Sequence, residues 1–500
     1  MTALIIHGHF YQPPRENPWT GEIETQPGAA PFHDWNERIH AECYRPNGFA
    51  RLGSTAINNY ANISFNFGPT LLSWLQQHHP ETYDRILAAD RESAVRRNGH
   101  GNAIAQAYGH AILPLCNERD RLTQVVWGLT DFQYRFGREP ESMWLPETAC
   151  NDQTLALLID SGLRFVILAP DQAKRIRVND EAAWQDVSAG SVDTTRAYRF
   201  LHPDGSGRSL AIFFYHGPLA RSIAFESALS SSQGLVDRFI RVGQTGELVN
   251  VTTDGETYGH HFKFGDICLA HALEIEAKQA GFWITNYGEY LDRHAPEFEV
   301  QIDNGPLGEG TSWSCAHGVG RWTRDCGCHT GGEAGWNQAW RMPLREALNF
   351  LRDATQEKFA ELAATLFHDA WQARDDYIRV ILDRSYWEEF LRQHERHSLS
   401  NAENVLAFKL LEIQRNALLM FTSCGWFFSD LAGIETVQVL HYAARVIELQ
   451  DELGSAVPRQ EFLQRLAEAK SNRPEKGNGA EIYLRAVAEA AGDTVDTGVR

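Results

Sequence analysis

Hydrophobic positions fall into two textures along this chain. Through roughly the first 340 residues, short apolar or β-branched runs alternate with amphipathic stretches. That alternation belongs to an α/β architecture. Strands are expected over 3–9, 62–67, 102–107, 142–145, 165–169, 210–215, 248–253 and 283–285. Several of these runs are apolar throughout, as parallel strands covered on both faces require. One unit is explicit. Asn151 or Asp152 can cap a helix, Leu155, Leu158 and Ile159 form its apolar stripe, and Gly162 can end it before Phe165-Val166-Ile167-Leu168 resumes as strand. So many strands within about 300 residues point to a barrel rather than an open sheet.

From Leu344 the period changes. Leu344, Leu348 and Leu351, then Phe359, Leu362 and Leu366, recur at helical spacing, and 407–420, 434–449 and 459–469 read as further amphipathic helices. The expected division is a catalytic barrel over 1–343, with lid insertions around 305–340, and a helical domain over 344–500. Residues 471–479 are a turn-rich linker before a last short helix, and the tail from about Asp493 is expected to be disordered.

Composition narrows the class. Hydrophobic residues make up 43% and charged residues 22% of the 500, as in a globular protein. A net charge of −19 with no basic cluster argues against nucleic acid, whose binding rests on Lys and Arg at phosphates. No apolar run has the length of a membrane span, so no membrane partner is expected. Residues 1–7 lack a basic start and a cleavage signature, and read as a first strand rather than a signal peptide. The eight scattered cysteines form no disulfide framework, which makes a cytoplasmic location the expectation. Fourteen Trp and 15 Tyr suit stacking on neutral ligands, although most are expected to fill the core.

Two predicted strands deliver an acid to their C-terminal ends, Glu147 after Trp144-Leu145-Pro146 and Asp254 before Gly255-Glu256. Barrel enzymes place catalytic groups there, and paired carboxyls are the equipment for cleaving a glycosidic bond. Pro146 stops its strand by fixing the backbone and removing a donor. Asp-Gly alone marks only a turn, but Glu256, Tyr258, His260 and His261 crowd the same segment. His7 and His9 share one face of the first strand. Contact with substrate is their first reading, a structural role the second and metal chelation the third. Three cysteines and two histidines, Cys315, His317, Cys326, Cys328 and His329, fall within 15 residues. They can bind zinc, or Cys326 and Cys328 can be redox-active, but Cys-x-Cys is a weaker signal than Cys-x-x-Cys. Trp313, Trp322, Trp336 and Trp340 with several glycines make this stretch read as a substrate lid, with no metal assigned.

Together these segments resemble glycoside hydrolase family 57. The likeness rests on His7-Gly8-His9 with Gln12-Pro13, on Gly99–Asn102 through Tyr108–Pro114, on Trp144–Glu147 and on Asp254–Gly259. The segments 132–140 and 312–319 are similar to a less characterised branch of that family. The resemblance implies an irregular (β/α)7 barrel followed by an all-helical C-terminal domain. It implies a retaining hydrolase or transglycosylase of the amylase and glucanotransferase kind, acting on an α-glucan or maltooligosaccharide without a cofactor. By position Glu147 would be the nucleophile and Asp254 the general acid/base. His7, His9, Gln12, His110, Trp144, Glu256, His260 and Trp313 are candidates for substrate contact. Trp426 joins them because the family's helical domain can lend an aromatic to the cleft. One departure bears on substrate preference: where many members carry a Glu after the glycine of the second segment, this chain has Gly101-Asn102-Ala103-Ile104. The alternatives are a metal-dependent polysaccharide deacetylase or mannosidase-like enzyme, and a non-catalytic glucan-binding protein on the same fold.

Overall fold

In a computed structural model, which describes residues 1–490 apart from 179, 181 and 456, the chain forms two compact units. The first comprises Met1–Gln12, Thr25–Tyr108 and Phe132–Ser314, and the second Pro13–Glu24, Gly109–Asp131 and Cys315–Arg500. The tail expected to be disordered lies outside the described residues.

The first unit is mixed α/β. Its central strands are β1 (Ala3–Phe10), β2 (Ser64–Phe67), β3 (Ala105–Gln106), β4 (Met143–Trp144), β5 (Phe165–Leu168), β6 (Ser209–Phe214), β7 (Leu248–Asp254) and β8 (Trp283–Ile284). Each lies within or across an expected strand. All eight positions of β1 are buried, so its continuous apolar run is covered on both faces. β1 pairs in parallel with β7 on one edge, and with β2 and β8 on the other. A parallel bridge from Phe65 to Ala103 leads on to β3, which pairs with β4. A second bridge, Ser142 to Phe165, leads to β5, which pairs with β6.

These ladders do not close into a barrel, because another sheet takes the closing edge. The free edge of β6 is taken by an antiparallel strand, Ala197–Leu201, which leads into Phe298–Ile302, Ala173–Arg177 and Gln185–Asp186. Only the end of β6 reaches β7. There His216 donates its backbone N–H to Asn250 O at 2.7 Å, and the Asn250 amide donates to Phe214 O at 3.2 Å. An apolar cluster including Ile5, Trp144, Phe165, Ile167, Phe213, Leu248 and Tyr287 packs inside this unit.

The helix Asp152–Asp160 forms as its sequence predicts. Asn151 Oδ1 accepts from the Thr154 N–H at 3.0 Å, Leu155, Leu158 and Ile159 are buried, and Gly162 ends it at φ +77°.

The second unit is largely helical. Arg341–Ala363, Asn401–Leu419, Ile434–Glu452, Arg459–Leu466 and Gly479–Ala490 are its longer helices. Leu344, Leu348, Leu351 and Phe359 are the buried stripe of the first. A capping box between Ser400 and Glu403 starts the second, ahead of its apolar pattern. Arg374, fully buried, is paired with Asp120 at 2.9 Å and bonded to Gln414 and Thr123, which satisfies a charge that burial would otherwise penalise. The linker at 471–479 is pinned at its start: Ser471 and Asn472 both donate to the Asp430 carboxylate. No described helix is long and apolar enough to cross a membrane.

Candidate active site

A row of polar residues lies across the C-terminal ends of the parallel strands. Register places His9 beside Asp254 on β7 and beside Asn66 on β2. Register likewise sets Gln106 beside Trp144, and the Asn66 amide donates to Gln106 Oε1 at 2.8 Å. Because side chains alternate along a strand, His7 and His9 face the same way.

Their surroundings decide their roles. His7 is fully buried, its Nδ1 bonded to Ser64 Oγ at 3.0 Å and its Nε2 to Asn66 Oδ1 at 3.1 Å. With both nitrogens engaged, His7 offers no free atom to substrate or metal, and the structural reading fits it. His9 receives a bond from Asn66 Nδ2 at 3.0 Å and stacks on the Trp144 ring, with centroids 4.7 Å apart. Burial pushes both imidazoles down to about 3, helped at His9 by His7, so both are neutral at ordinary pH.

Glu147 receives donors from the 313–314 segment. Trp313 Nε1 donates to Glu147 Oε2 at 2.9 Å and Ser314 Oγ to the same oxygen at 2.7 Å. The Trp313 backbone N–H lies 3.0 Å from both Glu147 O and Thr148 Oγ1, locking the 313–314 segment onto the turn. That turn is strained. After Pro146, Glu147 and Thr148 both sit in the left-handed region, at φ 59° and 52°. Consecutive non-glycine residues there cost of order 1–3 kcal/mol each, and such strain persists where surrounding bonds hold it and function uses it. Trp313 closes an aromatic wall with Trp144 at 5.2 Å and Tyr215 at 6.2 Å.

Asp254 is the contrasting acid. Its side chain is open to solvent at the end of β7, yet its carboxyl is pushed up to about 7 by desolvation, and then by the charge of Glu147. The two observations fit a reachable carboxyl walled by protein, where access for a ligand coexists with poor hydration. Glu256 lies behind it and is buried. It accepts from the Tyr11 N–H at 3.0 Å and the Tyr44 hydroxyl at 2.7 Å. Burial, then the neighbouring Asp254, pushes Glu256 up to about 8.

Gly255 between them is a packing requirement. A Cβ at this position would meet the Phe10 ring at 2.3 Å. Gly255→Ala is expected to destabilise the protein by about 1–3 kcal/mol through overpacking, measured as a lowered midpoint in urea. Ser314→Ala should leave that midpoint within about 0.5 kcal/mol and lower kcat about tenfold, since it removes one of two charge-assisted bonds to Glu147. Steady-state kinetics on the folded variant check this.

The other candidates are distributed as follows. Gln12, buried, donates to the Tyr11 carbonyl, and His260 pairs with Glu42. Trp144 is buried with no bond to its Nε1–H. His110 and Trp426 belong to the second unit. His110 Nδ1 is bonded to Ser423 Oγ at 2.7 Å, and Trp426 is wholly buried under the Arg345 guanidinium, 4.0 Å from its ring centroid. A recess of about 830 Å³ in the second unit, lined by Tyr377, Phe408, Glu412 and Arg445 among others, contains neither Glu147 nor Asp254. Ser314, Asn66, Tyr44 and Tyr215 were missed by sequence reasoning. Only Asn66 and Tyr215, at expected strand ends, carried a usable signal.

Comparisons with known proteins agree with this layout. Residues 3–303 match the model of glycosyl hydrolase family 57, and residues 336–499 match a domain of unknown function (DUF3536). An exo-type maltose-forming amylase from Pyrococcus sp. ST04 superposes with a TM-score of 0.66 at 16% identity, covering 98% of this chain and 88% of that one. A GH57-type branching enzyme from Pyrococcus horikoshii gives 0.54 at 15% identity, covering 99% and 95%. An α-amylase from Thermotoga maritima gives 0.53 at 11% identity, covering 96% and 99%. These likenesses concern the fold. Among curated proteins, alpha-amylase 1 of Dictyoglomus thermophilum is 26% identical over 136 residues, which are 26% of this chain and 18% of that enzyme. The family model spans well over half of the chain, and the protein belongs to glycosyl hydrolase family 57.

Proposed function

We propose that this protein is a retaining α-glucan-active enzyme, a hydrolase or transglycosylase, with Glu147 as nucleophile and Asp254 as general acid/base. The observation that carries the reading is the contrast between the two acids. Glu147 is held by two hydrogen-bond donors, which favour the anion, while Asp254 retains a proton up to about pH 7. Amylases and a branching enzyme among the structural relatives support the substrate class. The parallel order of strands from β7 through β1 to β6, joined in places by single bridges and left open at β6, supports reading the first unit as an irregular, unclosed variant of a (β/α)7 barrel. The scattered cysteine spacing favours a cytoplasmic location.

In the first step Asp254 gives its proton to the glycosidic oxygen, the bond from C1 to that oxygen breaks, and a Glu147 oxygen forms an ester to C1. In the second step the Asp254 carboxylate takes a proton from water or a sugar hydroxyl. The resulting oxygen attacks C1 and releases Glu147. Two inversions return the original configuration, which requires the carboxyls about 5–5.5 Å apart. Trp313 and Tyr215, backed by the buried Trp144, supply an aromatic wall for the sugar.

Product analysis with maltooligosaccharides and glycogen tests the proposal. New reducing ends indicate hydrolysis, and redistribution of chain length without them indicates transfer. No change on any α-glucan would contradict it. The metal-dependent alternative has no support at His7, whose nitrogens are both committed.

A further inference from the structure

Four side chains in the second unit converge outside the carboxylate pair. Cys315, His317, Cys326 and Cys328 bring one ligand atom each to within 4.8 Å of one another. Cys315 Sγ lies 3.8 Å from Cys326 Sγ, and Cys328 Sγ lies 3.5 Å from His317 Nδ1. With Zn–S about 2.3 Å and Zn–N about 2.0–2.1 Å, a tetrahedron has S···S edges of about 3.8 Å and S···N edges of about 3.6 Å. The spacing therefore suits four ligands around one ion. Two tight turns supply them. Gly327, at φ +79°, lets Cys326 and Cys328 face the same point. His329 turns away, its Nδ1 bonded to Gly331 O at 3.0 Å.

A second observation is electrostatic. Arg341 is fully buried, and its Nη1 donates to Cys328 O at 2.8 Å. Its Nη2 reaches only the Phe427 and Phe428 carbonyls, its Nε has no hydrogen-bond partner, and among the described residues no carboxylate pairs with it. A buried charge without an opposite one is costly. Three thiolates and a neutral imidazole around a divalent ion carry a net charge of −1, the counter-charge Arg341 lacks.

We propose that Cys315, His317, Cys326 and Cys328 hold a structural Zn2+ ion. Binding releases three thiol protons, forms three Zn–S bonds and one Zn–N bond, and changes no oxidation state. The buried Cys315 anchors the site, while His317 is exposed and leaves a path for the ion. Four filled protein positions make the site structural rather than catalytic. Cys315 directly follows Ser314 in the chain.

The test begins with elemental analysis of the full chain purified without chelator. About one zinc per chain is expected, lost in the double variant Cys326→Ser/Cys328→Ser and kept in His329→Ala. Replacing zinc by Co2+ in the unmodified protein should give the visible absorption and sulfur-to-metal charge transfer of a tetrahedral thiolate site. This readout stands even if the double variant fails to fold. Removing zinc should lower Tm. Failure of both zinc and Co2+ to bind, zinc retained by the double variant, or a Cys315–Cys326 disulfide in protein purified under reducing conditions would each overturn the proposal. None of these readouts depends on catalysis, so a failure here leaves the roles of Glu147 and Asp254 to their own tests.

Discussion

Glu147→Gln is expected to lower kcat on maltooligosaccharides at least about a thousandfold while the protein stays folded. The reason is that a glutamine amide cannot form the ester to C1, and the double displacement has no other route. The amide still fills the same volume and can keep a bond from Trp313 or Ser314, so the urea midpoint should move little. Removing the Glu147 charge has a second consequence. That charge is one of two causes holding the Asp254 carboxyl at about 7, so Asp254 should titrate lower in this variant. Carbon-13 NMR of labelled Asp carboxyls would show it. With Glu147→Ala, added azide should restore turnover of an activated α-glucoside and yield a β-glucosyl azide. Restored turnover giving the α-azide would mean another group is the nucleophile.

Asp254→Asn carries the second large effect, about 10²–10⁴-fold on substrates with a sugar leaving group. Activated leaving groups need no proton, so their first step should be nearly unaffected. The pH profile follows from the same carboxyl. The acid must be protonated, so wild-type activity falls as pH rises through about 7, and the variant loses that limb. The stability effect has a defined sign. The folded state binds the Asp254 proton more tightly than the unfolded chain, whose value is near 3.8. Stability from this group is therefore greatest below about pH 4 and is lost as pH rises to about 7. Asparagine cannot ionise, so the variant should be more stable than wild type at about pH 8, by about 1 kcal/mol once the open face of Asp254 is allowed for. The difference should vanish at low pH. Calorimetry at both ends of the range checks this.

Much of the site was legible because strand chemistry is local. Val251-Thr252-Thr253 and Met143-Trp144-Leu145 read as buried strands, and each ends on an acid at a residue that stops it. The contrast between the acids was not legible, because it depends on partners far along the chain. Ser314 and Trp313 reach Glu147 across more than 160 positions. His7 and His9 stand out as a pair, but their neutral state comes from burial and their orientation from Asn66, neither of which the His-x-His spacing encodes. Trp426 is a candidate for substrate contact by resemblance alone, and its burial under Arg345 depends on packing that the sequence does not show. The open ring of strands has the same origin. Phe298-Glu299-Val300-Gln301-Ile302 alternates as a strand should, yet nothing local says that its sheet would occupy the edge of β6 that a closed barrel would use.

The central claim is that Glu147 carries the sugar between the two steps. It is tested most directly by trapping. A fluorinated α-glucosyl donor that forms the intermediate faster than it is released, followed by proteolysis and mass spectrometry, should place one glycosyl adduct on the peptide containing Glu147, and none in Glu147→Gln. An adduct on any other residue, or an inverted product anomer with no adduct, would contradict the account.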